Sequence, residues 1–400
     1  MQSKHQYVIV GAGLAGISAA EGIRELDSRG SILVLGREPD LPYDRPPLTK
    51  QLWFGKKKPE EVFLHPRAWY EANGIDLVGR TSARQLDLPG KVVIDEAGVR
   101  HGYQKLLLAT GGEPRRLTIP GGDLQGICYY RTLADYQRIR AEAQPGRAAL
   151  VIGGGFIGSE LAAALSHAGS EVTMIFPDSY LGQRVFPEAL GRALAKLYQE
   201  RGIRILSSNV PTSIVREGDR FVTHTRDGAQ VRSDVVVAGV GIRPAVELAL
   251  QAGLATDDGI VVNDRLQSTN PDVYVAGDAA RFPYTALGRS MRVEHWDNAQ
   301  TQGKHAGRNM AGAADSYLHM PYFFSDLFEF GYEAVGEIST KLESFADWHE
   351  ENRKGVIYYL ADGRVRGAMM CDVWGQVEAA RQLIRSGAPQ SPTSLRGAIH

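Results

Sequence analysis

Two glycine-rich turns, 142 residues apart, constrain this chain more than any other feature. The first, Gly11-Ala12-Gly13-Leu14-Ala15-Gly16, follows the apolar run Tyr7-Val8-Ile9-Val10. The second, Gly153-Gly154-Gly155-Phe156-Ile157-Gly158, follows Ala149-Leu150-Val151-Ile152. A lone GxGxxG turns up by chance. Two of them, each between a strand pattern and a helix pattern, predict two dinucleotide-binding βαβ units. At each turn, backbone N–H groups and a helix N-terminus hold a pyrophosphate. Two dinucleotides on one chain imply a hydride passed between them.

The rest of the chain is organised around that duplication. The first unit reads as a strand over 7–10, a helix over 14–26 and a strand over 32–35, the start of a parallel sheet. An irregular stretch rich in Pro and aromatics follows, over 41–53 and 59–70. The run Leu106-Leu107-Leu108-Ala109 reads as a buried strand closing on Thr110-Gly111-Gly112. Near Pro120 the pattern restarts, with a strand over 148–152, a helix over 156–168 and strands over 172–176, 203–206 and 235–238. A turn over 269–272 leads into another short strand, with Asp278 at its carboxyl end. From Tyr322 the style changes. Two strands, over 356–360 and 365–370, are joined at Asp362-Gly363, a hairpin signal. A helix over 374–384 and a frayed tail over 386–400 complete the reading.

Length and composition narrow the function. Four hundred residues exceed one ordinary domain. A composition 43% apolar and 23% charged is that of a globular protein. The net charge of −1 gives no reason to expect nucleic acid or an anionic membrane as a bulk partner. The first strand begins within a few residues of the N-terminus, leaving no room for a signal peptide. No apolar run approaches the roughly 20 residues of a membrane span. The expectation is a cytoplasmic protein. Cys128 and Cys371 are the only cysteines and form no CxxC pair. That excludes a disulfide framework, a thiolate metal site and a flavin–dithiol relay. Both read as packed residues.

A carboxylate about 20 residues beyond each fingerprint takes the adenine ribose hydroxyls. For the second fingerprint this is Asp178, whose charge favours NADH by repelling a 2′-phosphate; Arg184 nearby keeps NADPH open. For the first it is Glu38, or a different group if Glu38 is solvated.

With these residues in place the chain resembles the flavin-dependent pyridine-nucleotide reductases of the ferredoxin and rubredoxin reductase type. Within them it is most similar to apoptosis-inducing factor and its bacterial relatives. Several motifs carry the resemblance. Leu41-Pro42-Tyr43-Asp44-Arg45-Pro46-Pro47-Leu48-Thr49-Lys50 matches the family's flavin-contacting loop, and Leu52-Trp53-Phe54 extends it. Gly155-Phe156-Ile157-Gly158-Ser159-Glu160 matches its second fingerprint. Residues 274–279 match its second FAD motif. Arg292-Val293-Glu294-His295-Trp296 matches the segment under the flavin's pyrimidine edge, and Gly331-Tyr332-Glu333-Ala334-Val335-Gly336 opens a C-terminal domain like the family's.

The resemblance implies a glutathione-reductase-like α/β fold with two Rossmann-like domains and a C-terminal α+β domain. The FAD domain would cover 1–118 and 241–320, the NAD domain 119–240, and the C-terminal domain 321–400. It implies non-covalent FAD and NADH. Gly11, Gly13, Gly16, Glu38, Arg45, Lys50, Thr110, Gly111, Asp278, Glu294, His295 and Trp296 would hold FAD. Gly153, Gly155, Phe156, Gly158, Glu160, Asp178 and Gly241 would hold NAD. Asp278 would take the ribityl hydroxyls and Arg45 the flavin or its phosphates. Lys50 and Glu160 would pair beside the flavin N5, with Phe156 covering the face where nicotinamide stacks. His295 is either a proton donor or a packed, neutral histidine.

The implied function is an NADH oxidoreductase that takes hydride onto flavin N5 and passes electrons to an iron–sulfur carrier such as ferredoxin or rubredoxin. Lys56-Lys57-Lys58 would be a docking rim or a solvated loop. Two other readings stay open: a redox-gated interaction protein with a long-lived charge-transfer complex, and an NADH oxidase or quinone reductase. Monomer and homodimer are both compatible.

Overall fold

Continuous apolar runs build the first sheet. All four residues of Ile32–Leu35 are buried, as are Tyr7, Val8, Ile9 and Val10. That is the signature of parallel strands covered on both faces. The computed structural model describes residues 2–399, with side chains from residue 4. The described chain divides into two compact units. One runs from the N-terminus to Asp44, over Glu60–Glu113 and over Arg243–Tyr322; the other comprises Arg45–Pro59, Pro114–Ile242 and the chain from Phe323.

In the first unit, strand Gln2–Val10 lies between Ile32–Leu35 and Arg100–Leu108, parallel to both. Ile75–Val78 extends the sheet beyond Ile32–Leu35, and Val273–Val275 pairs in parallel with Arg100–Leu108. Val92–Asp95 and Ala83–Asp87 add an antiparallel margin. Helices Leu14–Leu26 and Trp296–Met310 touch backbone to backbone. A Cβ on Gly303 or Gly307 would collide with the carbonyl of Ala15 or Ala19.

The second unit repeats the device. Its parallel sheet runs in the order Arg204–Leu206, Glu171–Ile175, Ala148–Ile152, Val235–Ala238. Leu150, Ile152, Ile175 and Val236 share a core with Ile214, Phe221 and Val231 of the antiparallel sheet Pro211–Glu217, Arg220–Thr225, Gln230–Ser233. A five-stranded sheet follows in the order Tyr322–Leu327, Phe330–Gly336, Arg364–Cys371, Lys354–Ala361, Glu343–Glu350. Its expected hairpin turns at Asp362 (φ 51°) and Gly363 (φ 67°), as a type I′ turn requires. The fold class is the expected one: two Rossmann-like parallel sheets and a C-terminal antiparallel domain.

Two local expectations need correction. The last long helix starts at Val377, not Trp374, because Gly375 (φ 75°) is left-handed and interrupts it. The tail is anchored: Ser391 caps a short helix, Pro392–Leu395, and both Leu395 and Ile399 are buried.

Candidate functional site

The two glycine turns correspond residue for residue. Gly11 (φ 114°) and Gly153 (φ 122°) adopt backbone angles closed to other residues. A Cβ on Gly16 or Gly158 would strike the carbonyl of Gly11 or Gly153, so these two lock each helix against its strand. Gly13 and Gly155 behave differently. Each caps its helix without a side-chain hydrogen bond, and a Cβ there would meet nothing within 4 Å. Each turn therefore presents helix N–H donors to open space that a methyl group at the second glycine would enter. That geometry fits a pyrophosphate.

Strand ends collect the other candidates. In the first unit Val10, Leu35, Leu108 and Val275 end neighbouring parallel strands in register. Gly11, Glu38, Thr110 and Asp278 follow them, at the carboxyl edge where open α/β sheets bind ligands. Glu38 is half-buried and accepts a hydrogen bond from the Tyr43 hydroxyl. Thr110 Oγ1 donates to the Ala245 carbonyl at 2.7 Å, and the Gly111 carbonyl accepts from Ala245 N at 2.9 Å. Asp278 sits in the tight turn Gly277–Ala279, which Gln302 Oε1 holds by accepting from Gly277 N at 3.0 Å. Among the described residues the buried side-chain nitrogen of Gln302 has no hydrogen-bond partner, a donor suited to a ligand.

The segment before Trp296–Met310 holds the remaining candidates of this unit. Glu294 pairs with Arg292, which also reaches Asp258 at 3.3 Å. Lost hydration pushes the His295 imidazole down to about 4, against the upward pull of Asp278 and Asp297. Its neutral form is thereby favoured. Trp296 Nε1 donates to Asp44 Oδ1 at 2.8 Å.

The second unit shows the same edge. Gly153, Asp178 and Gly241 follow Ile152, Ile175 and Ala238, again aligned in register. Asp178 is partly exposed, and its carbonyl accepts from Ser208 N at 2.8 Å. Gly241 (φ 92°) accepts from Arg115 N at 2.9 Å. Arg45 Nη1 donates to the Arg131 carbonyl at 2.6 Å, which anchors the 45–59 segment.

Helix Phe156–His167 brings Glu160 inward, where Lys50 Nζ meets its Oε1 at 2.5 Å. Exposure is 7% for Lys50 and 5% for Glu160. A pair this dry persists only if its other hydrogen-bonding capacity is met. Thr49 Oγ1 donates to Glu160 Oε2 at 2.6 Å and Ser325 Oγ to Oε1 at 2.5 Å. Lys50 also lies 5.1 Å from the centroid of the Phe324 ring. Phe156, at the first position of the helix, is 37% exposed, and its ring rests 5.2 Å from that of Phe323. Thr49 lies in the flavin-contacting loop motif without an assigned role, and Phe324, Ser325 and Gln302 carry no sequence assignment.

Both thiols are buried. Burial pushes Cys128 up to about 12 and Cys371 further still, so neither offers a thiolate for disulfide chemistry.

Residues 5–303 match the family described as pyridine nucleotide-disulphide oxidoreductase. Residues 306–350 match the C-terminal domain of apoptosis-inducing factor, mitochondrion-associated. The ferredoxin–NAD(+) reductase component of the anthranilate 1,2-dioxygenase system of Burkholderia cepacia is 34% identical over 98% of this chain and 97% of its own length. Mitochondrial apoptosis-inducing factor 1 of Dictyostelium discoideum is 32% identical over 95% of this chain and 78% of its own. The reductase in the covalent putidaredoxin reductase–putidaredoxin complex superposes with a TM-score of 0.92 at 30% identity, covering 98% and 95% of the two chains.

Proposed function

The chain belongs to the pyridine nucleotide-disulphide oxidoreductase family, and on that premise we propose that it holds FAD at the Gly11 turn and NADH at the Gly153 turn. It is an NADH-dependent flavoprotein reductase that hands electrons to a small iron–sulfur carrier of the ferredoxin or rubredoxin kind. Bound FAD supplies hydride acceptance at N5 and release of electrons one at a time.

The buried Lys50–Glu160 pair carries the reading. Glu160 grows from the helix that opens at the second fingerprint, so one element serves both the pyrophosphate and the ion pair. Glu160 fixes Lys50, and Lys50 offers the positive charge that favours a developing anion. Phe156 presents a ring face for the nicotinamide to stack on. Asp178 takes the adenine ribose hydroxyls and sets the preference for NADH over NADPH. In the other unit Asp278 takes polyol hydroxyls, Glu38 a ribose, and neutral His295 packs without donating a proton.

No described helix is long and apolar enough to cross a membrane. The reading also places the reductase in the cytoplasm, as a monomer or homodimer, with no nucleic-acid or membrane partner. Two buried, unpaired thiols suit a reducing compartment. Anaerobic stopped-flow mixing with NADH is expected to bleach the oxidised flavin band, and a ferredoxin-type carrier to restore it. Absence of bleaching overturns the proposal. The match of residues 306–350 to apoptosis-inducing factor favours a second reading, a redox-gated interaction protein. In that case bleaching is slow and NADH changes the oligomeric state in size-exclusion chromatography.

A further inference from the structure

One strand of the C-terminal sheet touches every candidate catalytic residue of the second unit. Phe323 backs Phe156 at 5.2 Å, Phe324 lies 5.1 Å from the Lys50 ammonium, and Ser325 Oγ donates to Glu160 Oε1 at 2.5 Å. These residues are consecutive in Tyr322–Leu327, the first strand of that sheet. We infer that Ser325, together with Thr49, is a positioning residue for hydride transfer. The C-terminal sheet thereby belongs to the reaction site. The inference rests on the function proposed above.

Glu160 offers two carboxylate oxygens to three donors: Thr49 holds Oε2, while Lys50 and Ser325 share Oε1. Thr49 and Ser325 arrive from segments 111 and 165 residues away from Glu160. Donors on both oxygens stop the carboxylate plane from turning about its last bond. An ammonium has three N–H donors. Lys50 spends one on Glu160, and its Nζ has no other hydrogen-bond partner among the described residues. Where the two unspent donors point is set by Glu160, and hence by the two hydroxyls that brace it. Ser325 is 1% exposed and Thr49 5%, so no water replaces either hydroxyl cheaply.

The test compares wild type with Ser325→Ala, Thr49→Val and the conservative Ser325→Thr. Flavin content, flavin reduction rate at saturating NADH, KM for NADH and the two-electron midpoint potential are all measured. Each hydroxyl deletion is expected to slow reduction about tenfold or more, with flavin content and KM within about twofold. The potential is expected to move to more negative values, because a less firmly held cation stabilises the reduced form less. Ser325→Thr restores both rate and potential. If both deletions leave rate and potential at wild-type values, the inference fails. It also fails if rate falls only in proportion to lost flavin, the mark of a purely structural role. Should Ser325→Ala not fold, Thr49→Val decides alone. If wild type itself is not reduced by NADH, the proposed function fails first, which keeps the two failures distinct.

Discussion

Lys50 and Glu160 stand 110 residues apart in sequence and meet at 2.5 Å, each less than a tenth exposed. Removing one member strands the other's charge in a dry site, at a cost of about 3–5 kcal/mol. Lys50→Met and Glu160→Leu are each expected to lower the melting temperature clearly. The double variant is expected to recover much of that stability, because a well-packed apolar pair replaces a buried ion pair at little cost. Flavin reduction by NADH stays slow in all three, by at least about tenfold. Thermal denaturation with stopped-flow kinetics on the same preparations checks both halves. A double variant no more stable than the singles would refute the account.

The glycines of a fingerprint are expected to fail in different ways. Gly155→Ala adds a methyl where nothing lies within 4 Å, so the fold keeps its stability. It loses affinity for NADH, with KM rising about tenfold or more as the cradle fills. Gly158→Ala drives a Cβ into the Gly153 carbonyl and costs stability, on the order of 1–3 kcal/mol as overpacking does. Gly13→Ala and Gly16→Ala repeat the contrast for flavin retention. Equal melting curves for Gly155→Ala and Gly158→Ala would contradict the packing argument.

Asp178 follows the strand Glu171–Ile175, with Arg184 exposed a few residues on. Asp178→Gln removes the charge that repels a 2′-phosphate and one acceptor for the ribose hydroxyls. The ratio of kcat/KM for NADH over NADPH is expected to fall about tenfold or more. An unchanged ratio assigns cofactor choice to another residue.

His295 gives the molecule an acid-sensitive element. Its imidazole is pushed from 6.5 down to about 4 by lost hydration. Between those values the unfolded chain binds a proton that the folded chain does not. Its contribution is therefore present above about 6.5 and is lost as pH falls toward 4. Denaturant titrations at pH 7 and pH 5 are expected to show lower stability at pH 5, and His295→Gln a smaller difference. The reduction rate is expected to show no inflection near 6.5 from this group, whereas a catalytic proton donor would produce one.

Both βαβ units, their glycine turns and the carboxylates that follow were legible along the chain. The reason is that a turn, a cap and an apolar run are local, decided within a few residues of one another. The pairing of Lys50 with Glu160 was legible only because two separate motifs resembled those of one family. Tertiary structure alone decided the rest. Thr49 and Ser325 are unremarkable hydroxyls until folding places them 2.6 and 2.5 Å from the same carboxylate. His295 carries no mark of its lowered pKa in the sequence; lost hydration in the folded chain creates it. The start of the last long helix moved to Val377 because the left-handed Gly375 breaks the helical backbone expected from Trp374. Spacing writes the sheets and their binding edges into the sequence, whereas braces made across more than a hundred residues exist only once the sheets have formed.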